Sequence, residues 1–204
     1  MPQLQTFLWS YADPVAWDTE KTKSLLLDAA TEEFGEHGFA GSRIERIGAR
    51  AGVSNERIYS YFGNKLGLFE ETLTCQLVRG LDEVQVVGSG PDAVASFAGN
   101  YFDASLRNPG LARLTAWEGL ERTAPIGLEQ RVARASTKVA DIQNALAHIN
   151  ARAAEDLLLT IVALTHTWTT GRNLGHIIAG DPDDNARRRE HIVASVRAIA
   201  SIGA

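Results

Sequence analysis

The sequence holds one cysteine, one methionine and six prolines in 204 residues, and each scarcity removes a class of protein. Cys75 alone cannot form a disulfide within the chain, and no Cys-x-x-Cys or Cys/His spacing offers a structural zinc site. Its ordinary role is that of a small buried hydrophobe. His148, His166, His176 and His191 share no i, i+4 spacing, so no metal centre is expected. No run approaches the ~20 apolar residues of a membrane span, and the first 17 residues lack both the basic and the apolar stretch of a secretion signal. The expected setting is soluble and cytoplasmic, with no membrane contact. The motifs G-x-G-x-x-G, G-x-x-x-x-G-K-[ST], H-E-x-x-H and G-x-S-x-G are all missing, so neither an enzyme nor a cofactor is expected. Basic charge is short as well. Twenty Lys and Arg face 25 Asp and Glu, a net charge of −5 that is at first sight a poor match to a phosphate backbone.

What is present reads as helix. At 45% hydrophobic residues the chain can bury a sizeable core, in one or two domains. No alternation of apolar and polar residues bounded by hairpin turns occurs, so strands are not indicated. Over residues 18–37, Leu26, Ala30 and Phe34 recur at i, i+4, i+8 with Leu25 and Ala29 beside them, one apolar stripe that Gly38 ends. Further helices are predicted over residues 91–107, 110–122, 127–150, 152–178 and 184–201. The glycines and proline of residues 87–91 mark a break between an N-terminal module and the rest. Residues 181–184 form a turn whose carboxylates suit the start of the last helix. The fold class expected is all-α, an N-terminal three-helix unit over residues 18–68 followed by a helical bundle over residues 69–204. Residues 1–17 form an extension.

Charge is distributed unevenly. Residues 42–65 carry Arg43, Arg46, Arg50, Arg57 and Lys65 against Glu45 and Glu56, a local excess of +3, with Glu32, Glu33, Glu36, Glu70 and Glu71 outside them. Such a cluster is more often a solvated surface than a binding face, so geometry has to carry the argument. Ser42 and Glu45 make an S-x-x-E capping box that predicts a helix from Arg43, with Ile44, Ile47 and Ala51 buried. Gly52 ends it, Val53 turns inward, and Ser54 is a natural N-cap for a second helix over residues 55–62. Helix, glycine turn, helix is the arrangement that lays its second helix in the DNA major groove. At about 100° per residue, Ile58 and Phe62 define the inward side of that helix. Glu56 and Ser60 then point outward, Arg57 and Tyr59 lie on the flanks, and Asn55 and Tyr61 near the edges. Glu56 has two readings, contact with the positive helix N-terminus or acceptance from a cytosine amino group. In either it repels phosphate.

Three spaced motifs run through residues 23–69. They are A-x-x-x-F-x-x-x-G-F at Ala30, Phe34, Gly38 and Phe39, I-x-x-x-A-G-V-S from Ile47 through Ala51, Gly52, Val53 and Ser54, and Y-x-x-F-x-x-K at Tyr59, Phe62 and Lys65. In these the segment, about a quarter of the chain, resembles the N-terminal domain of TetR-family regulators. The resemblance implies an all-helical homodimer that binds a palindromic operator in double-stranded DNA and is released by a small-molecule effector held in the C-terminal domain. It implies DNA contacts at Ser42, Arg43, Ser54, Asn55, Arg57, Tyr59, Tyr61 and Lys65; the outward geometry adds Glu56 and Ser60 to this face. Glu56 replaces a small residue common in the family, and Ser60 with Tyr61 replaces a frequent aromatic–histidine pair, so an operator sequence cannot be borrowed from a relative. Residues 1–17 hold no Lys or Arg and are not read as a minor-groove arm. Disorder, packing of Phe7, Trp9, Tyr11 and Trp17 on the domain, or a start codon assigned too early remain as readings of them.

Beyond residue 91 no motif stands out. The segments 152–178 and 184–201 carry Leu157, Leu158, Ile161, Leu164, Ile192, Val193, Val196 and Ile199, which suit a subunit interface as well as a monomer core; they are the expected dimer surface. Candidate effector contacts are Phe97, Tyr101, Trp117, Glu118, His166, Trp168 and Arg172, aromatic and polar groups of the kind that line a pocket between helices. Each aromatic reads equally as ordinary core. Glu118 and Arg172, if turned inward, need a counter-charge that a polar ligand or each other could supply. The rival readings are a helical adaptor that binds only proteins and a small all-α enzyme. The capped helix-turn-helix with its arginines counts against the first and the missing motifs against the second.

Overall fold

Side-chain caps set several of the helix starts. Ser54, Asn64, Asn150 and Asp184 each accept a hydrogen bond from the backbone N–H three residues on, at 3.4, 2.9, 2.9 and 3.1 Å, relieving the unpaired donors of a first turn. The computed structural model describes residues 14–82, 84–181 and 183–202. Among these lie ten α-helices: α1 Pro14–Gly41, α2 Ile44–Ala51, α3 Asn55–Phe62, α4 Lys65–Leu77, α5 Pro91–Arg107, α6 Gly110–Glu121, α7 Leu128–Ala145, α8 Ala151–Thr170, α9 Arg172–Ala179 and α10 Asn185–Ala200. A π-helical turn, Val78–Asp82, follows α4. The described residues contain no strand, and none of their helices is long and apolar enough to cross a membrane. The expectations placed on side chains of residues 1–17 lie outside the described residues.

Several boundaries differ from those read in the sequence. Helix α1, expected over residues 18–37, begins at Pro14 and resumes past the kink at Gly38 to Gly41. The predicted helix over residues 127–150 stops at Ala145, because Leu146 leaves helical geometry and Asn150 caps the next helix. The carbonyl of Ala145 is thereby open to the N–H of Gly90 at 2.7 Å. The helix expected over residues 152–178 is two, α8 and α9, broken at Gly171; a Cβ there would sit 2.6 Å from the Thr167 carbonyl. The Ser42 capping box does not form. Arg43 is the N-cap of α2, and the Ser42 hydroxyl, 4% exposed, donates instead to the Phe39 carbonyl at 2.9 Å.

Two apolar cores divide the chain. The first joins Leu26, Ala30 and Phe34 of α1, Ile44 and Ile47 of α2, Ile58 of α3 and Leu68, Phe69 and Leu73 of α4 to Leu111 and Leu114 of α6. The second joins α5, α7, α8 and α10 through Phe97, Tyr101, Phe102, Ile142, Leu157, Ile161, Ile192 and Val196. Helix α10 lies along α5, where Arg189 pairs with Asp103 at 2.8 Å and Arg197 with Asp92 at 2.6 Å. The connector after α4 is fastened to α7 by the buried Lys138, whose ammonium donates to the Val84 carbonyl at 2.8 Å.

Helix α6 therefore packs with the N-terminal core while being part of the C-terminal sequence. On its last two turns the Trp117 indole donates to the Gly35 carbonyl at 3.2 Å, and the Glu121 carboxylate accepts from the Ala40 N–H at 3.1 Å. Gly38, between the Gly35 carbonyl and the Ala40 N–H, has φ 69° and breaks α1. Its lack of a side chain also admits α6, since a Cβ would overlap the Glu121 carboxylate and lie 2.8 Å from the Trp117 ring.

Candidate nucleic-acid interface

The pairing of α2 and α3 is built around one close approach. Gly52 takes left-handed geometry at φ 68°, and the Val53 N–H bonds to the Gly48 carbonyl at 2.9 Å, closing α2. A Cβ on Gly48 would lie 2.7 Å from the Val53 carbonyl, so the turn presses on a glycine. Ile58 is buried against this layer, as its spacing with Phe62 predicts; Phe62 itself is partly buried.

The opposite face of α3 is open. Glu56, Arg57, Tyr59 and Ser60 are exposed, Tyr59 by 48%, with Ser54 and Arg43 beside them, while Asn55 and Tyr61 are partly buried. Arg57 Nε donates to the Tyr61 hydroxyl at 3.1 Å, and its guanidinium lies 5.9 Å from the ring centre, so the two side chains stand as one i, i+4 unit. Two of the ten candidate DNA contacts are turned inward. The Ser42 side chain is buried, as described above. The Lys65 ammonium donates to the Ser42 and Ala40 carbonyls at 2.7 and 3.5 Å and lies 4.8 Å over the Phe39 ring. It ties α4 to the turn between α1 and α2, and burial pushes its pKa down.

The local charge excess also changes in three dimensions. Arg46 Nε donates to Glu33 at 2.6 Å, and Arg50 pairs with Glu32 and, at 3.5 Å, with Glu36. These carboxylates are on α1, outside the stretch that carries the excess, so Arg46 and Arg50 are held within the domain. Arg43 and Arg57 point outward from the helix-turn-helix.

Glu33 is the main functional residue that sequence reasoning passed over. Its side chain is 1% exposed, and one carboxylate oxygen accepts from the Arg43 N–H at 3.0 Å as well as from Arg46. It meets the N–H of the N-cap residue, the part that a capping box gives to its glutamate. Burial alone would raise its pKa, but the Arg46 hydrogen bond, the Arg43 amide and the Arg46 charge together hold it below the ordinary carboxylate value. The available signal is that Glu33 falls on the apolar stripe of α1, three residues after Ala30, where a carboxylate requires a partner.

The seven candidate effector contacts do not line one cavity. Phe97 and Tyr101 stack at 6.2 Å inside the second core, and the Tyr101 hydroxyl bonds His166 Nε2 at 2.8 Å. Burial lowers the His166 pKa to about 4 and raises that of Tyr101, so both are neutral at pH 7. Trp117 faces α1 instead. Glu118 and Arg172 do not pair with each other: Glu118 is buried and accepts from Arg131 at 2.6 Å and from the Ile126 N–H at 2.7 Å, whereas Arg172 is exposed and pairs with Asp183 at 2.7 Å. Helix α6 directs Glu118 towards α7, and the break at Gly171 puts Arg172 on a separate helix. The Trp168 indole donates to Asn185 at 2.8 Å, joining α8 to α10.

Two family profiles match the chain. "Bacterial regulatory proteins, tetR family" covers residues 26–72, and "Tetracyclin repressor-like, C-terminal domain" covers residues 93–198. The chain belongs to the tetR family. Its similarity to known members of that family extends over most of its length. It is 35% identical over 173 residues to the HTH-type transcriptional repressor SCO4008 of Streptomyces coelicolor, a span of 82% of this chain and 88% of that one. It is 24% identical over 158 residues to the transcriptional repressor NicS of Pseudomonas putida, covering 75% and 73% of the two. The crystal structure of a transcriptional regulator, SCO4942 of Streptomyces coelicolor, superposes with a TM-score of 0.71 at 28% identity, over 88% of this chain and 98% of that one. As a tetR-family protein the chain is a DNA-binding transcriptional regulator, and α2 with α3 is its helix-turn-helix.

Proposed function

We propose that the protein is a homodimeric repressor that binds a palindromic operator and leaves it when a small molecule occupies the C-terminal bundle. The observation that carries this reading is the open face of α3, where Glu56, Arg57, Tyr59 and Ser60 stand on a helix held by Ser54 and Ile58. Arg57 and Arg43 contact phosphates or base edges, Asn55, Ser60 and the two tyrosines supply neutral donors and acceptors, and Glu56 narrows the tolerated geometry. Lys65 and Ser42 act from behind, by fixing the turn that presents Arg43. The units in this reading are residues 18–68 for DNA and 69–204 for effector and dimer.

Two copies pair through α8 and α10, where Leu159 of α8 and Ile199 of α10 are exposed at 68% and 40%, with Ile202 just past the end of α10 exposed at 73%. Recognition helices of such a dimer have to lie ~34–36 Å apart to enter successive major grooves. Helix α6 carries the signal, since Trp117 and Glu121 hold Gly35 and Ala40 while Glu118 on the same helix holds the start of α7. An effector acts only by binding the released arrangement more tightly than the bound one.

Footprinting of the DNA flanking the gene, with sedimentation of the free protein, tests this. The expected result is two protected half-sites about one helical turn apart from a dimeric protein. Absence of protection at low salt on any flanking segment, or a monomer at micromolar concentration, contradicts it.

A further inference from the structure

Helix α10 opens with three consecutive arginines that are not equivalent. Arg187 pairs with Asp184 at 2.9 Å and Arg189 with Asp103 at 2.8 Å. Arg188 turns inward. Its guanidinium lies 5.4 Å from the centre of the Trp168 ring, one nitrogen donates to the Leu164 carbonyl at 3.2 Å, and its Nε is buried with no hydrogen-bond partner. No carboxylate among the described residues pairs with it. Burial alone shifts its pKa, and downward, the direction of a cation without a counter-charge. A partly buried guanidinium with unused donors is costly unless an anion meets it.

The place for that anion is next to it. Trp168, Ala179, Arg187, Arg188 and His191 line a pocket of about 240 Å³ between α8, α9 and α10. The Trp168 indole is fixed by its bond to Asn185, so one wall is a preset aromatic surface. Arg187 and His191 add donors at the rim, and Ala179 closes the apolar side.

We propose that this pocket binds a small carboxylic acid with an apolar body, the carboxylate against Arg188 between Arg187 and His191, and the body against Trp168 and Ala179. A planar guanidinium accepts a carboxylate through two parallel hydrogen bonds, which an amide or alcohol of the same shape cannot supply with the same strength. Within the ligand-released reading this acid is the effector, and that identification alone rests on that reading. Its site would adjoin the helices assigned to the dimer surface, in contrast to the Tyr101–His166 pair in the bundle core.

Calorimetric titration of the full chain with benzoate, benzamide and inorganic phosphate tests the site without DNA. The expected result is saturable binding of benzoate at one per chain, with benzamide and phosphate at least about tenfold weaker. Arg188→Met keeps the stacked stem and should weaken benzoate about tenfold or more. His191→Glu changes an exposed position, so the fold is kept while a carboxylate enters the pocket, and benzoate binding should be lost. The proposal is overturned if benzamide or phosphate matches benzoate, or if His191→Glu leaves benzoate binding unchanged. It is also overturned if benzoate does not bind while Arg188→Met splits a dimer, because the counter-charge then comes from a second copy. Benzoate binding with no operator footprint would sink the repressor reading alone. A footprint with no benzoate binding would sink the site alone.

Discussion

The two halves of the molecule differ in which buried polar groups go unmatched. In the DNA-reading unit Glu33 is engaged by Arg46 and the Arg43 amide and Lys65 by two backbone carbonyls, and the atom left over is an acceptor, Glu33 Oε2, buried without a hydrogen bond. In the C-terminal half Glu118 and Lys138 are matched as well, and Tyr101 and His166 form a neutral pair, but the Thr165 hydroxyl and the Nε atoms of Arg122 and Arg188 are buried with no partner. What this half leaves over is donor capacity, which an added acceptor can use, whereas the acceptor left over in the DNA-reading unit belongs to a carboxylate already held by Arg46.

The largest effect should come from breaking the contact between the halves. Gly38→Val places a β-branched side chain at positive φ and against Trp117 and Glu121. A loss of about 3–4 kcal/mol in urea unfolding is expected; a loss below about 1 kcal/mol would mean that α6 can move aside freely.

The bundle should show its own pH dependence. His166 has a folded pKa of about 4 against an ordinary 6.5, so its contribution is fully present above pH 6.5 and falls as the pH drops from 6.5 towards 4. About 3 kcal/mol is lost over that interval. His166→Gln should remove this slope; identical slopes in variant and parent would show that His166 is not the titrating group. The Glu33 carboxyl acts in the same direction but only below its ordinary value of 4.5, so the window between 6.5 and 4.5 isolates the bundle.

A smaller loss should follow Glu33→Gln, which keeps size but removes the charge that caps α2 and grips Arg46. About 1–2 kcal/mol is expected in unfolding, with weaker operator binding on the side of Arg43. Unchanged operator affinity would reduce Glu33 to a packing residue. The smallest effect is Glu56→Ala, which should tighten non-specific DNA binding by about threefold at low salt. It should also relax preference at one cytosine if the carboxylate reads a base. Equal affinity of parent and variant for all sequences would retire both.

Legibility in the sequence follows the same division. The recognition helix, its Ser54 cap, the Gly52 turn and the inward Ile58 are decided within a few residues, and local rules recover them. The local charge excess does not survive folding, because Glu32 and Glu33 reach Arg50 and Arg46 once α1 and α2 pack. Ser42 fits the capping pattern, yet its hydroxyl turns to the Phe39 carbonyl and Arg43 becomes the N-cap, its amide met by Glu33 ten residues earlier. In the bundle, Glu118 finds Arg131 and Trp168 finds Asn185 through turns that spacing does not reveal, so a set of plausible pocket residues scattered to separate neighbours. The break at Gly171 was hidden by the apolar pattern that runs through it.

The most direct test of the account is the affinity of the footprinted duplex for the parent protein and for an Arg57→Ala, Tyr59→Ala double variant, read by fluorescence anisotropy beside a melting curve. Both residues are exposed, so equal melting temperatures are expected, with affinity lower by at least about a hundredfold. Undiminished affinity in a folded variant would mean that the open face of α3 is not what meets DNA.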